Sequence, residues 1–204
     1  MFSSLNYAPL ESTVGEVRAG AGCTVTLRPT PYDLTGVEVR AEKIDFNTKT
    51  LGVPPPGRFS RTGYNHSGRG SERGVAIAND ERCRLRDINL FVSNVNIDSF
   101  RVEFNLYAYA GGSVGEPLQR ERIFATIRGA DANSSFQVPL EKRNLFIDGP
   151  FIASVMMLDD HSDAVIMLEA SPKKKYKGYR RHADGRWLRQ DISPSISVVM
   201  KCPE

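Results

Sequence analysis

In "FRVEFNLYA" the apolar Phe100, Val102, Phe104 and Leu106 alternate with Arg101, Glu103 and Asn105. Successive side chains of a strand point to opposite faces, so this segment reads as a strand with one buried and one wetted side. "CTVTLRP", "GVEVRA", "GVAIAN", "RIFATIRG", "SSFQVPL", "FIASVMML", "DAVIMLE" and "SISVVMK" follow the same rule or read as short apolar runs of a sandwich core. In "RLRDINLFVSNV", Ile88, Leu90 and Val92 keep the alternation while Leu85 is out of phase, which predicts a bulge. Turn formers separate the runs: "AGG" at 110–112, "GAD" at 129–131, "DGP" at 148–150 and "ADG" at 183–185. No helical period persists through a helix-length window. The pattern predicts an all-β chain whose residues 72–204 form a jelly-roll-like antiparallel β-sandwich.

Between residues 44 and 71 the alternation lapses. "NTKTLGVPPPGRFSRTGYNHSGRGSERG" is rich in Gly, Pro, Ser and Arg, and Pro54-Pro55-Pro56 favours a stiff, extended path. A linker or long surface loop is expected there, separating a short N-terminal β segment, residues 1–43, from the sandwich.

Composition adds a bound. The chain has 204 residues, 40% hydrophobic and 25% charged, enough to bury a core without covalent help. Cys23, Cys83 and Cys202 are far apart and lack C-x-x-C spacing. Neither a zinc site nor a disulfide framework is expected, although one pair could bridge in an oxidising compartment. No apolar run reaches the roughly 18 residues of a membrane helix. The opening "MFSSLNYAPLEST" lacks the regions of a secretory signal.

The net charge of +3 is unevenly spread. "SPKKKYKGYRRHADGRWLRQ", residues 171–190, holds eight bases and one acid; the remaining nineteen bases face twenty-three acids. Affinity for polyanions would therefore belong to one segment. The "ADG" turn predicts a hairpin of 174–181 with 186–190. Lys173, Lys174, Lys175, Tyr176, Lys177, Tyr179, Arg180 and Trp187 are its candidate ligand-binding residues, the cations attracting anions and the rings stacking on bases or sugars. The competing reading is that the lysines protect an exposed edge strand and the rings pack on the sandwich rim.

Other chemistry is thinner. "LDDHSD" places Asp159, Asp160, His161 and Asp163 in a loop, and Asp159, Asp160 and Asp163 are weak candidates for a calcium-type site without the spacing of an EF-hand. His66 and His182 lie in Gly- or charge-rich loops, no serine sits in G-x-S-x-G, and Cys83 reads as a shielded thiol on a strand. "GRGSERG" matches neither a dinucleotide fingerprint nor a P-loop. No cofactor is expected. A binding module predicts a concave face built from Tyr107, Tyr109, Tyr179 and Trp187. A structural interaction protein predicts a sheet edge or apolar patch without a pocket. An enzyme predicts ionisable groups converging in a cleft, from Asp159, Asp160, His161 and His182.

Residues 1–43, with "F-x-S-L-x-Y", "V-T-L-x-P" and "L-x-x-V-x-V-x-A", resemble the second half of a carboxypeptidase regulatory-like (transthyretin-like) domain. Residues 72–202, with "ERGVAIAN", "INLFV", "FRVEFNLYAY", "GEPLQRERIFATI", "FQVPLEKRNLFIDGPFIASVMML" and "YRRHADGRW", resemble the domain that follows it in bacterial envelope proteins. The resemblance implies a periplasmic or outer-membrane-associated location, an incomplete transthyretin-like segment and no reaction. It also implies that "YRRHADGRW" is a structural hairpin with a basic tip. An anionic glycan or lipopolysaccharide, or a partner protein, is then the expected partner, ahead of nucleic acid.

Overall fold

The computed structural model describes residues 1–2, 7–13, 24–29, 46–55, 60–65, 69–160, 163–182 and 184–204. The chain divides into Met1–Lys43 and Ile44–Glu204. In the first unit the described backbone pairs are internal: Phe2 and Leu10 exchange two hydrogen bonds, and the Ala8 N–H donates to the Arg28 carbonyl at 2.9 Å.

In the second unit the described residues form β1 (Phe46–Gly52), β2 (Arg61–Asn65), β3 (Glu72–Ile77), β4 (Cys83–Val95), β5 (Ser99–Ala110), β6 (Ser113–Pro117) and β7 (Ile123–Arg128). There follow β8 (Ser134–Pro139), β9 (Phe146–Ile147), β10 (Phe151–Met157), β11 (Val165–Ser171), β12 (Lys177–Arg181), β13 (Trp187–Gln190), β14 (Ser193–Pro194) and β15 (Ile196–Pro203). They make two antiparallel sheets packed as a sandwich. The first runs β1-β15-β4-β11-β14, with β2 also on β11 and β8 and β9 also on β4. The second runs β13-β12-β3-β10-β5-β6, with β7 also on β5.

The alternation read from the sequence is the packing rule of the core. Phe100, Val102, Phe104 and Leu106 of β5 face inward with Phe151 and Val155 of β10. They meet Leu85, Ile88, Leu90 and Val92 of β4 and Ile196, Val198 and Met200 of β15, all essentially inaccessible. Each such side chain contributes about 1.5–3 kcal/mol by leaving water. The expected bulge is present: Val199 pairs with Asp87 and Met200 with Leu85, so Arg86 is the extra residue that returns Leu85 to the core.

Two expectations are corrected. The supposed linker supplies two strands, so the described sandwich starts at Phe46. β1 pairs with β15 along its whole length, from Phe46 opposite Pro203 to Gly52 opposite Ser197. As an edge strand with mostly exposed side chains, it needs no apolar face and so shows no alternation. β2 pairs with β11, and its Tyr64 is buried with the hydroxyl donating to the Val155 carbonyl at 2.6 Å. Cys83 is no shielded thiol. It forms a disulfide with Cys202 across 119 residues of chain, because β4 and β15 are neighbours and Arg84 lies opposite Lys201.

Candidate functional site: a concave aromatic and cationic face

The side chains of the second sheet that point away from the core form the most developed surface of the described residues. On β3 these positions carry Glu72, Gly74 and Ala76; on β10, Ile152 and Ser154; on β5, Asn105, Tyr107 and Tyr109. On β12 they carry Lys177, Tyr179 and Arg181, with Trp187 of β13 opposite Arg181 and Arg189 opposite Tyr179. Gly74, Ala76 and Ser154 thus leave room in the middle, and the aromatic and cationic side chains stand on the flanks.

The flanks close over the middle. Tyr107 and Trp187 stand edge to face with ring centroids 5.4 Å apart, and Tyr109 and Tyr179 at 5.7 Å. Trp187 and Tyr107 belong to strands four places apart, a separation of about 19 Å on a flat sheet. The rings meet because the face is concave. Gly74 is required beneath them, since a Cβ there would sit 2.8 Å from Ile152 Cγ2 and 2.9 Å from Ser154 Cβ. Tyr107, Ile152 and Tyr179 are buried in this second apolar cluster, with Ala76, Tyr109, Val114 and Trp187 packed against them. The β5–β6 hairpin bounds one side. Its two-residue turn, Gly111–Gly112, has φ of +59° and +90°, a geometry that disfavours residues bearing a Cβ.

Under the rings lies a buried carboxylate. Glu72 is wholly inaccessible and accepts hydrogen bonds from Ser154 Oγ (2.6 Å), Asn105 Nδ2 (2.9 Å) and the Tyr107 hydroxyl (3.3 Å). Arg181 Nη1 lies 3.5 Å from Glu72 Oε2, and its guanidinium sits 5.9 Å over the Trp187 ring. A buried charge persists only when such partners replace its water. Burial, and then the Glu72 charge, push the Tyr107 phenol well above its ordinary range. Burial, and then the hydrogen bond with Tyr109, push Tyr179 up to about 12. All of these groups are engaged, so the cluster is a rigid support for the rings and cations above it.

One open hollow lies on this face and a second at its rim, beside β1 of the first sheet. One, of about 460 Å³, is walled by Tyr109, Val114, Lys177, Tyr179, Trp187 and Arg189. The other, of about 480 Å³, is walled by Leu51, Ala76, Tyr109, Lys175, Tyr176 and Lys177. No carboxylate lines either hollow. A third, of about 420 Å³, lies away from this face between Leu118, Arg120, Glu121, Arg143 and Phe146, where Arg143 already pairs with Glu121 at 3.2 Å.

The structure distributes the sequence candidates unevenly. The hairpin forms as β12–β13, and Lys175, Tyr176, Lys177, Tyr179 and Trp187 line the hollows. Tyr107, Tyr109, Tyr179 and Trp187 gather on one face. Lys173 and Lys174 are exposed before β12 and line neither hollow. Arg180 falls on the opposite side of β12, where its Nε is buried without a hydrogen-bond partner and its charge depresses the pKa of buried Arg73, after the larger effect of burial. Asp159 is held by Arg101 at 2.7 Å, and Asp160 and Asp163 are exposed. Among the described residues none of these acids, nor His182, belongs to a metal-sized cluster. The one cluster is Glu81 with Cys83 and Cys202, whose sulfurs are joined to each other. His66 and His161 lie outside the described residues.

Glu72, Arg181 and Arg189 were not singled out as site residues from the sequence. Its signal for Glu72 was faint: in "ERGVAI" the positions alternating with Val75 and Ile77 carry a carboxylate, a glycine and an alanine.

No family model matches the chain, and no curated protein matches it. The fold is similar to the crystal structure of the cysteine protease and lectin-like domains of Cwp84, a surface layer associated protein of Clostridium difficile, with a TM-score of 0.50 and 10% identity. The match covers 76% of this chain and 36% of that one, so this chain spans about a third of its neighbour's length. No helix among the described residues is long and apolar enough to cross a membrane.

Proposed function

We propose that this protein is a non-catalytic binding module of the cell envelope, and that the concave face of its second sheet takes an anionic glycan. One observation carries this reading. Trp187, Tyr179 and Tyr109 share an open hollow with Lys177 and Arg189, no carboxylate lines it, and neither cation has an ion-pair partner among the described residues. Sugar rings present apolar C–H faces that pack on aromatic rings, and Lys and Arg pair with carboxylate or sulfate groups. The cluster around Glu72 holds Tyr107 and Arg181, on which Trp187 packs, and the Tyr109–Tyr179 hydrogen bond fixes the other two rings before a ligand arrives, which lowers the ordering cost of binding.

The Cys83–Cys202 disulfide supports an oxidising compartment, as an envelope location requires. The lectin-like domain and surface-layer association named for the structural neighbour point the same way. A nucleic acid would meet the same cations, but the rings pack edge to face with one another, leaving no row of parallel faces for successive bases.

Binding to an array of neutral, carboxylated and sulfated glycans tests the reading, followed by titration at two salt concentrations. Acidic glycans are expected to bind, to weaken with salt, and to be lost in Lys177→Glu/Arg189→Glu at unchanged melting temperature and in Trp187→Ala with the fold retained at a lower one. Binding confined to neutral glycans, or none at all, overturns it.

A further inference from the structure

From the junction of the two hollows, and resting on the glycan reading above, we infer that the site holds an internal stretch of an extended acidic polysaccharide across two subsites. Tyr109 and Lys177 belong to both walls, so the hollows are neighbours with a shared partition. Each contains its own pair of an aromatic ring and a cation. Trp187 and Arg189 serve the first; in the second, Lys175 Nζ sits 4.9 Å over the Tyr176 ring.

Strand geometry sets a run from the outer face to its rim, where Tyr176 packs on the edge of the main core. Lys177, Tyr179 and Arg181 occupy alternate positions of β12, about 7 Å apart. From Tyr176 to the level of Trp187, opposite Arg181, the track runs about 17 Å, longer than a single sugar ring. Neither hollow is enclosed, so a chain can enter at one end and leave at the other. A polymer with a negative charge on its repeating units matches cations repeated along that run. Once one unit is held, the next binds without a second loss of translational freedom, so affinity should grow with length until both subsites are filled.

Calorimetric titration of the intact protein with oligogalacturonates and heparin-derived oligosaccharides, in a length series, tests this at fixed ionic strength. Affinity is expected to rise at least tenfold from the shortest bound oligomer to one spanning both hollows, and then to level off. Lys175→Glu and Tyr176→Ala should abolish that gain while sparing the shortest bound oligomer, whereas Trp187→Ala should weaken every length. Lys175 is exposed, so its variant remains informative if Tyr176→Ala disturbs the fold. Length-independent binding that Trp187→Ala abolishes overturns the two-subsite inference alone, as does a gain that survives Lys175→Glu. Failure of every oligomer to bind overturns the glycan reading with it.

Discussion

The hydroxyls of Tyr109 and Tyr179 meet at 2.8 Å above the middle of the second sheet, although their strands, β5 and β12, lie three places apart. The Tyr179 hydroxyl also lies 3.3 Å from the Gly112 carbonyl, tying the β5–β6 turn to β12. Removing either hydroxyl should loosen that arch. Tyr109→Phe is expected to cost about 1 kcal/mol, one hydrogen bond's net worth, in urea unfolding.

The same pair predicts a response to alkali. The Tyr179 phenol is raised from its ordinary 10.0 to about 12 in the fold. A group whose folded pKa is raised contributes stability that is whole below the unfolded pKa and is lost as pH rises through the folded one. Stability should therefore decline between about pH 10 and 12. Tyrosinate absorbance in Tyr109→Phe should show Tyr179 ionising at lower pH than in the wild type, since the hydrogen bond with Tyr109 is among the causes of the shift.

Glu72→Ala removes the common acceptor of Ser154, Asn105 and Tyr107 and the partner of Arg181. Stranding those groups should cost about 3 kcal/mol. Glu72→Gln keeps volume and one acceptor oxygen and should cost less. Chemical denaturation ranks the two; a Gln variant as stable as the wild type would show that packing alone matters there, and equal costs that the carboxylate itself does.

Gly74→Ala places a methyl group against Ile152 and Ser154. Overpacking of this kind costs about 1–3 kcal/mol. Because the collision pushes on the floor beneath Tyr107 and Tyr179, near-ultraviolet circular dichroism should change as well as the unfolding midpoint.

Reduction of the Cys83–Cys202 disulfide releases a constraint spanning 119 residues. The chain-entropy argument gives a loss of about 5 kcal/mol, equivalent to roughly 10–20 °C in melting temperature. Thermal unfolding of the oxidised wild type against the reduced wild type checks it, with a Cys83→Ser/Cys202→Ser variant expected to melt with the reduced protein.

These residues also show where reading the chain alone succeeds. Whether Phe104 faces the core or Tyr107 faces outward follows from strand alternation, a property of neighbouring residues. The phase break at Leu85 exposed the bulge for the same reason, and the "ADG" turn exposed the β12–β13 hairpin. β1 escaped notice because an edge strand takes its stability from hydrogen bonds to β15, which leave no mark on its side-chain pattern. The two cysteines could not be paired because their proximity depends on β4 and β15 being neighbours.

The all-β class, the inward and outward sides of the central strands and the site of the basic hairpin were determined by the sequence itself, since side-chain period and turn chemistry act over a few residues. Only the tertiary structure decided that Trp187 and Tyr107, 80 positions apart, would touch, that Glu72 would lie beneath them, and that Arg180 would turn away from the face its neighbours build. Those outcomes depend on strand order and sheet curvature, which arise from contacts summed over the whole sandwich and are written in no single stretch of it.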